Sequence, residues 1–358
     1  MRALLKSPRI VLVLAAASLS AVDGLGFMDV FGGGRSPPSQ QRASVVYPDF
    51  FDALPSMEGK VVAVTGTSRG LGFVTALSLA KKGATVILLN RPTGQAEESL
   101  GEIAAAATGH APIPIDCDLL DFESVRKAAG KVMQKCAAAG GLDVLCLNAG
   151  IMLQEDAASR DGYDITASTN VLSHFLLTRE LMPALEEAAA AHGEARVVSM
   201  SSGSGFGPPA FDARFYAREG GRLGGRQASY ERYHQSKLAN LLFTAALHEK
   251  LSVRGSSVKA LACTPGVCGT DMFVHVQQLS RPGQPVDRSR VPSVEDGACA
   301  QLKCICDPSV RSGELWGPRG MGGPPSAIAL APPTVLVDDE AKETVWRACE
   351  EAVGTFAL

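Results

Sequence analysis

KVVAVTGTSRGLG, residues 60–72, is the stretch on which the fold turns. Its first half is a nearly continuous β-branched run, the pattern of a strand buried on both faces of a parallel sheet. Its second half sets Gly66, Gly70 and Gly72 around Ser68, Arg69 and Leu71, where the strand pattern gives way to helical spacing. Glycines at such a junction let backbone N–H groups approach a pyrophosphate, and the helix that follows turns its positive end to the charge. The spacing is G-x-x-x-G-x-G, not the G-x-G-x-x-G of other dinucleotide folds.

Working outward, strand patterns recur at 84–89, 113–115, 142–147, 196–200 and 258–263, with a further candidate at 312–316. Helical spacing covers 73–82, 97–107, 122–138, 167–192, 228–253 and 338–352, with a break or bend expected near Pro183. This alternation predicts one α/β domain over 57–330. It would be a Rossmann-type doubly wound parallel sheet of about seven strands, helices on both faces, with ligands at the strands' carboxyl ends. Residues 331–358 read as a C-terminal helical tail.

The N-terminus differs in kind. Arg2, Lys6 and Arg9 precede an apolar run, and no acid appears before Asp23. Residues 1–22 therefore read as a secretory signal peptide, too short to span a bilayer comfortably, with a short membrane anchor as the alternative. Residues 23–56 read as a disordered linker or second targeting segment. The net charge of −3 points to no nucleic-acid partner. Arg214, Arg218, Arg222 and Arg226 read as a solvated loop. Nine cysteines, an odd number, argue for reduced thiols over a disulfide framework. No His/Cys set has zinc spacing, so no metal is expected. A secretory leader on a thiol-rich chain is reconciled by a reducing organelle reached through the secretory route. A plastid with extra membranes is the favoured case and the endoplasmic reticulum the alternative.

Cofactor choice follows from charge. An acid at the end of the second strand would hold ribose hydroxyls and repel a 2′-phosphate. Here that strand ends in Asn90-Arg91, and Arg69 adds a cation in the glycine turn. Two guanidiniums suit a phosphate, so NADP(H) is expected. The chemical end lies further along. Ser201 and Ser202 close the fifth strand, and YHQSK places Tyr233 four residues before Lys237, on one helix face. A phenol ionises near pH ~10, and a neighbouring ammonium would lower that value. Y-x-x-x-K alone is a weak signal, and its position after a serine-ended strand gives it value.

These residues resemble the short-chain dehydrogenase/reductase family over residues 59–316. TGTSRGLG matches the family's cofactor turn. LNAG matches its NNAG, with Leu147 in place of the first Asn, and implies that Asn148, Ala149 and Gly150 shape the central strand. The resemblance places Asp118 near the adenine ring and Ser202 on the substrate oxygen, with Ser201 as its structural neighbour. Asn170 would help hold a proton-relay water, and Lys237 would reach the nicotinamide ribose. Thr264, Pro265 and Gly266 match the turn after the sixth strand, and Thr270 would face the nicotinamide.

Ser202 and Tyr233 stand 31 positions apart, farther than the family's common spacing, which marks residues 203–227 as an insertion above the site. SKLAN and SHFLLT look most like the retinol dehydrogenase and protochlorophyllide reductase branches, and PGVCGTDMF and SVEDGA favour the former. Residues 272–292 would be a mobile substrate loop. The resemblance thus implies an NADP(H)-dependent oxidoreductase acting on a carbonyl or alcohol of an apolar retinoid-, steroid-, lipid- or pigment-like substrate. A protochlorophyllide-type C=C reductase and a non-catalytic NADP(H)-binding subunit are the alternatives. Homodimer, homotetramer and peripheral membrane contact stay open.

Overall fold

Val62, Ala63 and Val64 have no solvent exposure, as a strand covered on both faces requires. A computed structural model of the chain describes residues 41–328 and 338–358. The expected signal segment, residues 1–22, lies outside the described residues. In chain order the elements are α1 (Tyr47–Ala53), β1 (Val61–Thr65), α2 (Gly70–Lys81), β2 (Thr85–Asn90), α3 (Gly94–Ala106), β3 (Ile113–Asp116) and α4 (Phe122–Cys136). Then come β4 (Val144–Leu147), α5 (Ile165–Ala167), a π-helical turn (Ser168–Leu172), α6 (Ser173–His192), β5 (Ala195–Met200), α7 (Ser229–Val253) and β6 (Val258–Cys263). The remaining elements are α8 (Asp271–Ser280), α9 (Val294–Cys306), β7 (Leu315–Pro318), β8 (Pro325–Ile328) and α10 (Asp339–Val353).

The sheet runs β3-β2-β1-β4-β5-β6-β7-β8. It is parallel except for β8, which pairs antiparallel with β7. Strand order reverses between β1 and β4, which opens a crevice at their carboxyl ends. The fold is therefore the doubly wound α/β sheet read from the sequence, with eight strands instead of seven. Alternate residues of each strand feed two cores. Val61, Ala63 and Leu145 pack under α4, α6, α7 and α10, whereas Val62, Val64 and Cys146 pack under α2 and α9.

Four local expectations change. The segment assigned to a linker carries α1, tied to α9 by Asp296. The Asp296 carboxylate accepts the backbone N–H groups of Val45, Val46 and Tyr47 at 2.9–3.1 Å. The C-terminal helix is no free tail, because Trp346 and Phe356 stack on each other and edge onto Phe175 in the core. α6 runs through Pro183, and the irregularity lies earlier, at the π-turn. The expected mobile loop holds α8. All nine cysteines are free and buried. Among the described residues, no helix is long and apolar enough to cross a membrane, and no cluster of three or more His, Cys, Asp or Glu side chains could hold a metal.

Candidate active site at the strand ends

β1 ends at Thr65, a hub for the crevice. Its Oγ1 accepts the N–H groups of Asn148 and Ala149, both at 2.9 Å, and lies 3.0 Å from His174 Nε2. Asn148 Nδ2 in turn donates to the carbonyls of Thr65 and Gly66 at 2.8 and 3.2 Å. The glycine turn is pressed onto this frame: a Cβ at Gly72 would sit 2.1 Å from the Gly66 carbonyl oxygen. On the outer side a Cβ at Gly70 would meet only Thr270 Cγ2, at 3.9 Å. Arg69 occupies the N-cap of α2 without a side-chain capping bond. The first-turn N–H groups are therefore not claimed by a capping side chain. A turn closed against the sheet and open outward, at an uncapped helix start, fits a dinucleotide pyrophosphate.

Of the other expected cofactor residues, four line one cleft and the rest stand elsewhere along the strand ends. Ser68, Arg69, Gly70 and Thr270 line one cleft of about 330 Å³. Leu71, by contrast, packs against the core on the α2/α9 face. Arg69 is engaged with Asp271 at 3.3 Å. Arg91 is exposed just past β2, and Asn90 before it clasps Thr67 through two bonds of 2.7 Å. Asp118, half-buried past β3, accepts the Leu120 N–H at 3.0 Å. Pro265 and Gly266 turn the chain after β6, where a Cβ at Gly266 would sit 2.4 Å from the Met321 carbonyl oxygen. Thr270 caps α8 by accepting the Phe273 N–H at 3.3 Å.

At the chemical end, Tyr233 and Lys237 are 4% and 3% exposed on adjacent turns of α7. Ser202, two residues past β5, neighbours the Tyr233 phenol, and its hydroxyl accepts the Ser204 N–H at 3.2 Å. Ser201 turns the other way and donates to the Lys237 carbonyl at 2.8 Å. The Lys237 ammonium donates to the Met200 carbonyl at 3.0 Å and lies 5.8 Å from the Tyr233 ring centre. A Cβ added to Gly150 would find Asn170 Oδ1 and Lys237 Nζ at 3.4 and 3.5 Å, so these side chains meet at the end of β4.

The expected lowering of the tyrosine does not occur. Burial pushes the Tyr233 phenol up to about 12, against the opposing Ser202 hydrogen bond. Burial also brings Lys237 down to about 8. Loss of solvation outweighs the ammonium's field at this separation. A phenol held protonated at neutral pH can donate a proton.

Asn170 lies in the π-turn with its side chain fully committed. Oδ1 accepts the Ile151 N–H at 2.9 Å, and Nδ2 donates to the Ile151 carbonyl and to Ser236 Oγ at 3.0 and 2.9 Å. Ser236 donates onward to the Tyr233 carbonyl at 2.7 Å. Ser236, Thr65 and His174 escaped the sequence reading. Ser236 sits inside YHQSK, Thr65 opens TGTSRGLG and His174 lies in SHFLLT, but none of these motifs showed that Thr65 and His174 meet.

The insertion is organised by Arg232, one residue before Tyr233. Its buried guanidinium donates to the carbonyls of Leu223, Gly225 and Gln154 at 3.2, 2.7 and 2.9 Å, and pairs with Asp164 at 3.1 Å. Asp156 accepts the N–H groups of Gly221, Leu223 and Gly225 at 2.6–2.9 Å. Of the insertion's arginines, Arg214 pairs with Asp212 and Arg218 donates to the Asp161 carbonyl.

A doubly wound sheet with an open glycine turn and a Ser–Tyr–Lys constellation at its strand ends defines a nicotinamide-dependent oxidoreductase fold. The chain belongs to the short-chain dehydrogenase/reductase family, whose defining pattern, described as short chain dehydrogenase, matches residues 60–217. A short-chain dehydrogenase/reductase of Aspergillus calidoustus is 31% identical over 84% of this chain and 95% of its own. Human polyprenol dehydrogenase is 33% identical over 64% of this chain, and mouse retinol dehydrogenase 12 is 36% identical over 58%. The matches span 66% and 61% of those two relatives' lengths, in keeping with the retinol dehydrogenase-like branch. Among solved structures, an uncharacterized protein from Mycobacterium paratuberculosis superposes with a TM-score of 0.67. It is 30% identical and covers 88% of this chain and 100% of its own.

Proposed function

We propose that the protein is an NADP(H)-dependent oxidoreductase acting on the carbonyl or alcohol of an apolar substrate, with Tyr233 as the proton donor and acceptor. The observation that carries this reading is the buried Tyr233 with the Lys237 ammonium 5.8 Å from its ring centre, beside Ser202 at the strand ends. When bound, the nicotinamide supplies or accepts the hydride. Ser202 orients the substrate oxygen, and the protonated Tyr233 phenol donates to the developing alkoxide. Lys237 holds the coenzyme ribose, and Asn170 braces the end of β4 against the tyrosine-bearing turn. Gly66, Gly70 and Gly72 seat the pyrophosphate. Asp118 and the Asn148–Gly150 segment flank the adenine side, and Thr270, Pro265 and Gly266 the nicotinamide side.

Preference for NADP(H) is supported by Asn90-Arg91 in place of an acid after β2, and by Arg69 in the turn. An apolar substrate is supported by Met272, Phe273, Val274 and Leu279, which stand half-buried along α8. It is also supported by two relatives named for apolar alcohols. The basic-then-apolar order of residues 1–22 supports delivery by the secretory route to a reducing organelle, with a complex plastid favoured. A fluorescent fusion that stays cytosolic would exclude that route.

The test is NADPH consumption by the full chain against retinaldehyde, steroid ketones and aliphatic aldehydes. Tyr233→Phe is expected to lower turnover by roughly 10²–10⁴-fold while NADPH still binds. Turnover equal to wild type would remove Tyr233 from the chemistry.

A further inference from the structure

Arg69 reaches from the glycine turn to Asp271, the first residue of α8. We propose that Asp271 competes with the 2′-phosphate of an NADP-type dinucleotide for Arg69, and so sets how strongly the protein discriminates phosphorylated from unphosphorylated coenzyme. The inference rests on the NADP(H) reading above.

The geometry is that of a shared carboxylate. Asp271 Oδ2 lies 3.3 Å from Arg69 Nη1, and Oδ1 lies 3.1 Å from Arg288 Nη2. The Arg69 and Asp271 side chains are 61% and 47% exposed, so water can replace the contact at small cost. Arg69 makes a single contact here, whereas a phosphate offers more charge and can take both arms of the guanidinium fork. When Arg69 turns to the phosphate, Asp271 keeps Arg288 and is not stranded. A coenzyme without that phosphate gives Arg69 no reason to leave.

Position supports the competition. Arg69, Gly70, Thr270, Asp271 and Arg288 all line one cleft, and a Cβ added at Gly70 would meet Thr270 Cγ2 at 3.9 Å. The turn that receives the coenzyme and the head of α8 are thus joined through the same guanidinium. Seating the phosphate frees the head of α8, and the half-buried Met272 and Phe273 follow directly behind it.

Titration of the full-length protein with NADPH and with NADH, followed by calorimetry, tests the proposal. Asp271→Asn is expected to tighten NADPH binding about two- to five-fold and leave NADH unchanged, in line with an exposed ion pair. Arg288→Gln, which leaves Asp271 to Arg69 alone, is expected to weaken NADPH binding. In an Arg69→Met background, Asp271→Asn should have no effect. An equal gain for NADH, a gain that persists without Arg69, or no gain at all would each overturn the competition while wild type still prefers NADPH. Equal wild-type affinities, unchanged by Arg69→Met, would instead overturn the NADP(H) reading and this proposal with it.

Discussion

His174 shows how a single buried side chain ties the site to the fold. Nδ1–H donates to the Asn170 carbonyl at 3.2 Å, so Nε2 is left to accept the Thr65 hydroxyl. Complete burial lowers the imidazole to about 3, far below its ordinary value. The unfolded chain therefore binds a proton that the folded one refuses. Stability is full above pH ~6.5 and falls as pH drops toward 3, by about 2 kcal/mol at pH 5. Urea midpoints at pH 7 and pH 5 should separate in wild type and converge in His174→Gln. An equally steep loss in the variant would place the acid sensitivity elsewhere. The same region shows what could be read in advance. Tyr233, Lys237 and the glycines announce themselves because their chemistry demands fixed spacing. Thr65 and His174 sit in quoted motifs, but their contact does not announce itself, because it joins a strand and a helix 109 residues apart.

Among the elements, α10 departs furthest from its expected part. Its helical spacing was legible, but its partners were not, since Phe175 and Phe243 come from α6 and α7. Trp346 lies 5.0 Å from the Phe175 ring and 5.2 Å from that of Phe356. Trp346→Ala should cost about 3–5 kcal/mol, seen as a lowered thermal midpoint for the whole domain. A midpoint within a degree of wild type would make α10 the appendage its sequence suggested. β8 was missed for a related reason. Four residues, Pro325–Ile328, carry no alternation, and the strand is defined only by pairing with β7.

On the scale of the molecule, the parallel sheet was readable because buried central strands are nearly uniform apolar runs. The clasp at its start was not, because Val45–Tyr47 and Asp296 are some 250 residues apart. That clasp has a measurable worth. Asp296→Ala removes the acceptor of three backbone N–H groups, and a chain beginning at residue 57 removes the donors. Each should lower stability by about 1–3 kcal/mol, whereas a chain beginning at residue 41 keeps the clasp. Equal midpoints for chains beginning at 41 and 57 would show the clasp to be idle.

Arg232 gives the insertion a constraint of its own. Residues 223–225 are folded around a guanidinium that belongs to α7, and the next residue is Tyr233. The loop's anchor, paired with Asp164, and Tyr233 thus share one turn of helix. A relative's loop grafted here without its own arginine and anchoring acid would disturb the tyrosine before it changed the substrate. Because the loop's anchor is a residue of α7, a swap of this loop has to carry residues 229–233 with it.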